Sequence, residues 1–288
     1  MAKIQSFNNG GMNMKKINKE DLMKISYTDF VSLIKEENRP SGGKFTIREI
    51  AKNAFVTEKF KVLEIGCTNG FSSLELNKLT NCEVIGIDIN KNSVENANER
   101  IKELKLDDSR IKFEYGNAEE LRFEDEEFDL IICGNAMSFV QDKNKAIEEL
   151  KRVLKPNGYI SIVPIWYKDE PNEEIISKVN YELGFNITCT YEKDWNKYDK
   201  WDLELYYKKN YEFLKRSKED IENYAKNLIN NKSHLEIYNE EEKNIIINRW
   251  IRTMDVFNDN LSMTNFSIIL LRKAPVKEEE ELFIVNQG

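Results

Sequence analysis

The stretch Val62-Leu63-Glu64-Ile65-Gly66-Cys67-Thr68-Asn69-Gly70 constrains this chain more than any other. An apolar run, Phe60-Lys61-Val62-Leu63, rises into an acid and two glycines, and helical periodicity then begins at Phe71. That order reads as buried strand, tight turn and helix start, the layout of a nucleotide-binding turn. A second apolar run, Glu83-Val84-Ile85-Gly86-Ile87-Asp88, ends on a carboxylate about twenty residues past the first glycine, where a βαβ unit brings an acid to ribose hydroxyls. A dinucleotide fingerprint needs glycine at its second conserved position so that backbone can approach a pyrophosphate. Here that position is Thr68, and the spacing Glu64-x-Gly66-x-x-x-Gly70 suits a ligand without phosphate. A nicotinamide-dependent oxidoreductase shares the turn and Asp88 but is disfavoured by Thr68.

Around this pair the chain alternates strand and helix, as a parallel sheet covered by helices requires. Strands are predicted at Lys61–Ile65, Glu83–Asp88, Ile111–Tyr115, Phe128–Cys133 and Tyr159–Pro164. Helical faces run through Val94, Ala97, Ile101 and Leu104, and through Ile147, Leu150, Val153 and Leu154, the second ended by Pro156-Asn157-Gly158. Before this core a helix is expected over 18–37. A glycine-rich break at Ser41-Gly42-Gly43 follows it, and Thr46-x-x-Glu49 has capping-box spacing for a second helix. The break is either a lid hinge or a plain linker. After Pro164 come a helix stopped by Gly184, a run of Tyr and Trp, a strand near Leu203–Tyr207, and two amphipathic helices starting at Ser217 and Asn239. An edge strand over Asn265–Leu271 closes the fold.

The ordered series Glu-x-Gly-x-x-x-Gly, Gly86-Ile87-Asp88, Gly116-Asn117-Ala118, Phe128-Asp129-Leu130-Ile131-Ile132 and Leu154-Lys155-Pro156-Asn157-Gly158 resembles the motifs of class I S-adenosylmethionine-dependent methyltransferases over about residues 60–165. The resemblance implies an α/β, Rossmann-like, mostly parallel seven-stranded sheet with helices on both faces. It adds an N-terminal helical preface and a helical insertion before the last strand. The expected divisions are a flexible N-terminus over 1–17, a helical lid segment over 18–56, the cofactor-binding core over 57–165, substrate-side helices and late strands over 166–273, and an acidic tail over 274–288.

The same resemblance assigns cofactor contacts. Glu64, Gly66, Cys67 and Gly70 would surround the amino-acid part of S-adenosylmethionine; Asp88 would accept the ribose hydroxyls, and Ile89 would press on the adenine. Asn117 and Ala118 would meet the adenine edge, and Cys133 and Gly134 would line the methionine side and the substrate mouth. Cys67 itself reads as a small packing residue rather than a catalytic thiol. Relatives often carry a histidine pair after the fourth strand, but this chain runs Ala136-Met137-Ser138-Phe139. Its sole histidine, His234, lies in a polar stretch and reads as a solvated loop residue. No catalytic residue is assigned.

The implied function is methyl transfer to a small organic molecule or peptide-derived substrate, with a non-catalytic cofactor-binding protein as the alternative. Substrate contacts are expected from Tyr27, Met137, Trp166, Tyr206 and Trp250, because small-ligand pockets are mostly apolar. Arg39 could clamp a carboxylate or phosphate, or be a plain surface arginine. The net charge of −8 argues against a nucleic-acid partner. No apolar run is long enough to span a bilayer, the start lacks a signal-peptide core, and the four cysteines have no metal-ligand spacing, so a cytoplasmic, metal-free, membrane-free protein is expected.

Overall fold

The computed structural model describes residues 16–196 and 201–274. The expected flexible start and acidic tail lie, but for their innermost residues, outside that range. The chain opens with α1 (Lys19–Lys24) and α2 (Tyr27–Leu33), where one longer helix was expected. Ser26 breaks them by capping α2, accepting from the Asp29 N–H. α3 (Lys44–Asn53) starts earlier than the capping-box reading placed it. Gly43 is its N-cap, and Thr46 lies inside the helix with its hydroxyl turned back to the Ser41 carbonyl.

β1 (Lys61–Ile65), α4 (Phe71–Thr80), β2 (Glu83–Asp88), α5 (Lys91–Glu103), β3 (Ile111–Tyr115), β4 (Phe128–Ile132), α6 (Lys143–Val153) and β5 (Leu154–Ile162) follow in order. β6 (Ile165–Tyr167), α7 (Glu173–Leu183), β7 (Glu204–Glu212), α8 (Lys218–Asn230), α9 (Glu240–Leu261) and β8 (Thr264–Arg272) complete the fold. β1 pairs in parallel with β2 and β4, β2 with β3, and β4 with β5. β8 runs antiparallel to β5 and β6 on one side and to β7 on the other, so it lies inside the sheet and not at the edge expected for it. The sheet therefore has eight strand segments where seven were expected. Ile162 faces Ile269 and Ile165 faces Phe266, an unbroken register, so β6 continues the line of β5 past Val163-Pro164. Pro164 has no N–H to give, and the Val163 N–H goes instead to the Gly134 carbonyl at 2.8 Å.

α6 ends at Val153, before Pro156-Asn157-Gly158. Leu154 is already extended and pairs with Phe128, and the next pair is Leu130 with Tyr159, so residues 155–158 bulge out of the ladder.

Alternation along the strands splits the core. Val62, Val84, Leu130, Ile268 and Leu270 face α3, α4 and α5 through Ile47, Leu74, Val94 and Ile101. Leu63, Ile85, Ile131, Ile160 and Ile269 face α6 through Ile147 and Leu150, with Trp195 and Trp201 packed alongside. A third cluster joins opposite ends of the chain: Leu22, Phe30 and Ile34 of the preface pack on Ala225, Ile229, Ile246 and Trp250 of α8 and α9. These preface and late helices form one cap.

Candidate cofactor and active site

β1 has β2 on one side and β4 on the other, so strand order reverses at its carboxyl end, where open α/β sheets bind ligands. The turn 66–70 leaves β1 at that point. The Gly66 and Cys67 N–H groups both donate to the Ile87 carbonyl, at 2.9 and 3.0 Å, which ties the turn to the end of β2. Gly66 has φ +69°, and a Cβ there would lie 2.7 Å from the Ala136 Cβ of the loop after β4. Glycine is required both by backbone and by space. Gly70 has φ +81°, but a Cβ on it would meet Phe113 at 2.6 Å; its demand comes from the core behind the turn.

Glu64 is buried on β1. One carboxylate oxygen accepts from the Ser73 N–H at 3.0 Å and from the Ser73 hydroxyl, in the first turn of α4. Among the described residues no lysine or arginine pairs with it. Burial pushes its carboxyl up to about 7, against the opposing pull of the Ser73 and Ser72 hydrogen bonds. A carboxylate in that state accommodates a cationic ligand group. Asp88, at the end of β2, accepts from the Thr68 N–H at 2.9 Å and the Asn90 N–H at 2.8 Å; burial raises its carboxyl too. The next residue, Ile89, is 70% exposed, an unusual state for isoleucine and a ready platform for a flat ring.

The remaining expected cofactor positions divide by which part of the residue is free. The Cys67, Ala118 and Cys133 side chains are buried in the core, so only their backbone can meet a ligand. Burial raises the Cys67 thiol well above its ordinary value and pushes Cys133 up to about 12, which removes both as nucleophiles. The Asn117 side chain accepts from the Glu119 N–H at 3.0 Å, which fixes the turn that carries Ala118. Gly134 has φ +49° and open space where its Cβ would be. Together Glu64, Gly66, Asp88, Ile89 and Gly134 outline one site at the switch point.

The substrate candidates scatter. Tyr27 lies in the cap, edge-on to Phe257 at 5.5 Å, with its phenol raised by burial and then by Glu36. Arg39 donates to Glu37 at 3.0 and 2.7 Å and sits over the Phe71 ring at the start of α4, next to the turn. Met137 is buried in the core just past Gly134. Trp166 is also buried, with its indole donating to the Ser267 hydroxyl at 2.8 Å. Trp250 packs within the cap beside Phe30. Tyr206 needs correction: it lies on Tyr159 and under Arg272, at the amino ends of the parallel strands, the edge opposite Gly66. β7 starts at that edge because it runs antiparallel to β8. His234 is likewise not a solvated loop residue. Its ring meets the Leu33 carbonyl at 2.9 Å, and burial lowers its pKa.

Two residues to which the sequence reading gave no role meet beside the loop that follows β4. Phe139, after β4, and Phe185, after α7, meet edge-on at 5.2 Å and are 50% and 39% exposed. No local sequence signal marks them, since each lies among mostly apolar neighbours.

A family described as a methyltransferase domain matches residues 57–211. The chain belongs to the S-adenosylmethionine-dependent methyltransferases. An uncharacterised protein of Haemophilus influenzae is 33% identical over 168 residues, 58% of this chain and 65% of that one. A sterol 24-C-methyltransferase of Debaryomyces hansenii is 29% identical over 150 residues, 50% of this chain and 39% of that one. The match thus spans less than two thirds of either relative. Among solved structures, the MccD protein aligns with a TM-score of 0.69 and 24% identity, over 82% of this chain and 99% of that one, a likeness of fold. The family's cofactor is S-adenosylmethionine. The site fits it: a buried, cation-free carboxylate for its ammonium, an acid at the end of β2 for its ribose and an exposed apolar platform for its adenine. Among the described residues no helix of this methyltransferase is long and apolar enough to cross a membrane, and no cluster of potential metal ligands occurs.

Proposed function

We propose that this methyltransferase moves a methyl group from S-adenosylmethionine to a small organic acceptor by in-line displacement. The observation that carries the reading is Glu64, a buried carboxylate at the strand switch point with no lysine or arginine beside it among the described residues. When bound, the cofactor supplies an electrophilic methyl on a positively charged sulfur. Glu64 would hold the α-ammonium, the backbone at Gly66 and Cys67 would approach the methionine part, Asp88 would take the ribose hydroxyls, and Ile89 would support the adenine. The chain's contribution to rate is then mainly alignment, which can supply about 7–11 kcal/mol when both reactants are held in near-attack geometry.

The loop over 133–140 that enters the acceptor side carries no carboxylate, histidine, lysine or tyrosine. A base from that loop is therefore absent, which favours acceptors that attack without one, such as a neutral amine or a thiolate. Phe139 and Phe185 would form the mouth, with the cap over it, and the acidic surface supports a small rather than polyanionic acceptor. The test is methyl transfer from labelled cofactor into fractionated small-molecule extract. Label in a discrete small product supports the reading. Tight binding of S-adenosylhomocysteine with no transfer to any fraction would favour a non-catalytic binding protein instead.

A further inference from the structure

Thr68 holds φ +47°, a left-handed conformation that glycine adopts freely and a β-branched residue resists. Its N–H serves Asp88, a contact any residue could make. Its hydroxyl is what glycine lacks. That hydroxyl accepts from the Asn38 amide at 3.1 Å and lies 3.4 Å from the Gly66 carbonyl. Asn38 belongs to the loop joining α2 to α3, and it too is left-handed, at φ +48°. Two residues in sparsely populated conformations, 30 apart in sequence, thus meet side chain to side chain at the cofactor turn.

The neighbouring residues make the same connection. Asn69 is fully buried; its amide donates to the Glu36 carbonyl, its side-chain oxygen accepts from Asn96 at 3.1 Å, and its carbonyl accepts from Arg100 at 2.7 Å. The other arm of Arg100 reaches Glu37 at 2.8 Å. On the far side of the loop, the Tyr224 hydroxyl of α8 meets both Glu36 carboxylate oxygens, at 2.7 and 2.8 Å. An unbroken run of hydrogen bonds therefore leads from α8 of the cap, through loop 36–38, into the turn 68–69.

We propose that Thr68 is a positioning residue that registers the cap on the cofactor turn, so that filling the turn and seating the cap over the acceptor are one event. Asn69 and Arg100 anchor the loop wherever the backbone permits; the Thr68–Asn38 pair fixes its register, because among the described residues it alone joins two side chains whose backbones are both left-handed. The second half of the statement, coupling to occupancy, rests on the cofactor reading above; the first half does not.

Hydrogen exchange of the full-length protein tests the two halves separately. Thr68→Gly and Asn38→Gly each keep the backbone conformation and remove the contact, and Thr68→Ser keeps the hydroxyl. Without ligand, each glycine variant is expected to speed exchange in residues 36–43 by about fivefold, the size of one lost hydrogen bond, with the serine variant near wild type. The double variant should be no faster than either single one. Singles that match wild type, or a double that shows the product of the two effects, would overturn the register. With S-adenosylhomocysteine, protection of residues 36–43 should rise in wild type and Thr68→Ser but not in Thr68→Gly, although residues 66–70 are protected in all three. Equal protection of 36–43 in Thr68→Gly would overturn the coupling. Failure of wild type to bind S-adenosylhomocysteine overturns the cofactor reading and the coupling with it, and leaves the ligand-free comparison to decide the register.

Discussion

Glu64→Gln should remove one contribution that makes the stability of this protein fall as pH rises. In the folded protein the carboxyl stands at about 7 because burial penalises its charged form, against an ordinary value of 4.5. The folded state therefore binds this proton more tightly than the unfolded chain does. The stabilisation is fully present below pH 4.5 and is lost as pH rises through 7. At about 1.4 kcal/mol per pH unit the loss amounts to about 3 kcal/mol between the two limits. Glutamine keeps the shape and the hydrogen bond from Ser73 but carries no charge to bury. Thermal unfolding of ligand-free wild type and variant from pH 5 to 8.5 reads the difference, and every other titrating group cancels in the comparison. The variant should gain on wild type by several degrees at the alkaline end, at roughly 2–4 °C per kcal/mol for a chain of this size. Ligand binding should run the other way. Wild-type affinity for S-adenosylhomocysteine should climb as pH rises through 7, since the ammonium needs the charged carboxylate. The variant should bind about 10- to 100-fold more weakly at pH 8, the worth of a charged hydrogen bond. Parallel pH profiles of the two proteins, in stability and in affinity, would refute the account of Glu64 as a buried carboxylate held for a cation.

Asp88→Ala should weaken S-adenosylhomocysteine by at least tenfold in calorimetry, through loss of the ribose acceptor and of the carboxylate that fixes the Thr68 and Asn90 N–H groups; unchanged affinity would remove Asp88 from the site. Gly66→Val should abolish binding while far-ultraviolet dichroism stays near native, because the added atoms meet Ala136 and the φ of +69° resists a branched residue; retained binding would show that the turn is not the site. Gly86→Ala should lower stability by about 1–3 kcal/mol in urea unfolding, since its Cβ would stand 2.5 Å from the Phe113 ring, and Phe113→Leu in the same chain should recover part of the loss.

The core was legible because its signals are local. Alternation in Val62-Leu63 and Val84-Ile85 distributes successive side chains to the two faces, and Ser217 and Asn239 cap α8 and α9 as their positions suggested. Two local signals were outranked. Thr46-x-x-Glu49 has the spacing of a capping box, yet Gly43 turns the chain earlier. The end of α6 was set by Lys155 preceding Pro156, which excludes helical geometry sooner than Gly158 does. β7 runs longer than its sequence suggested. Lys208-Lys209 reads in isolation as a solvated charged face and is ordinary on an edge strand, where lysine guards against further pairing. Tyr206 could not be placed at all without strand direction. The ligands that hold Glu64, and the Glu36–Tyr224 and Asn38–Thr68 contacts, join residues whose types are unremarkable singly; only the fold brings them together.

The unequal legibility of the two parts follows from where each keeps its information. The matched family stretch, 57–211, contains the turn, Asp88 and the parallel strands β1–β5, the parts that the proposed function gives to the cofactor. The cap is built from α1 and α2 before that stretch and α8 and α9 after it, and it has its own apolar cluster, distinct from the two faces of the sheet. An element packed mainly on itself can change side chains without disturbing the sheet's core. It touches the core through α2, where Ser32 accepts from Asn96 and Asp29 from Asn90, and through the loop 36–39, where Glu36 and Asn38 meet the turn directly and Glu37 meets it by way of Arg100. If the cap selects the acceptor, as proposed above, that choice can vary in the cap while the turn stays fixed, provided these contacts persist. A chimaera carrying another family member's cap should keep its cofactor affinity and change its acceptor, and it should couple the two only if an equivalent of the Asn38–Thr68 contact travels with it.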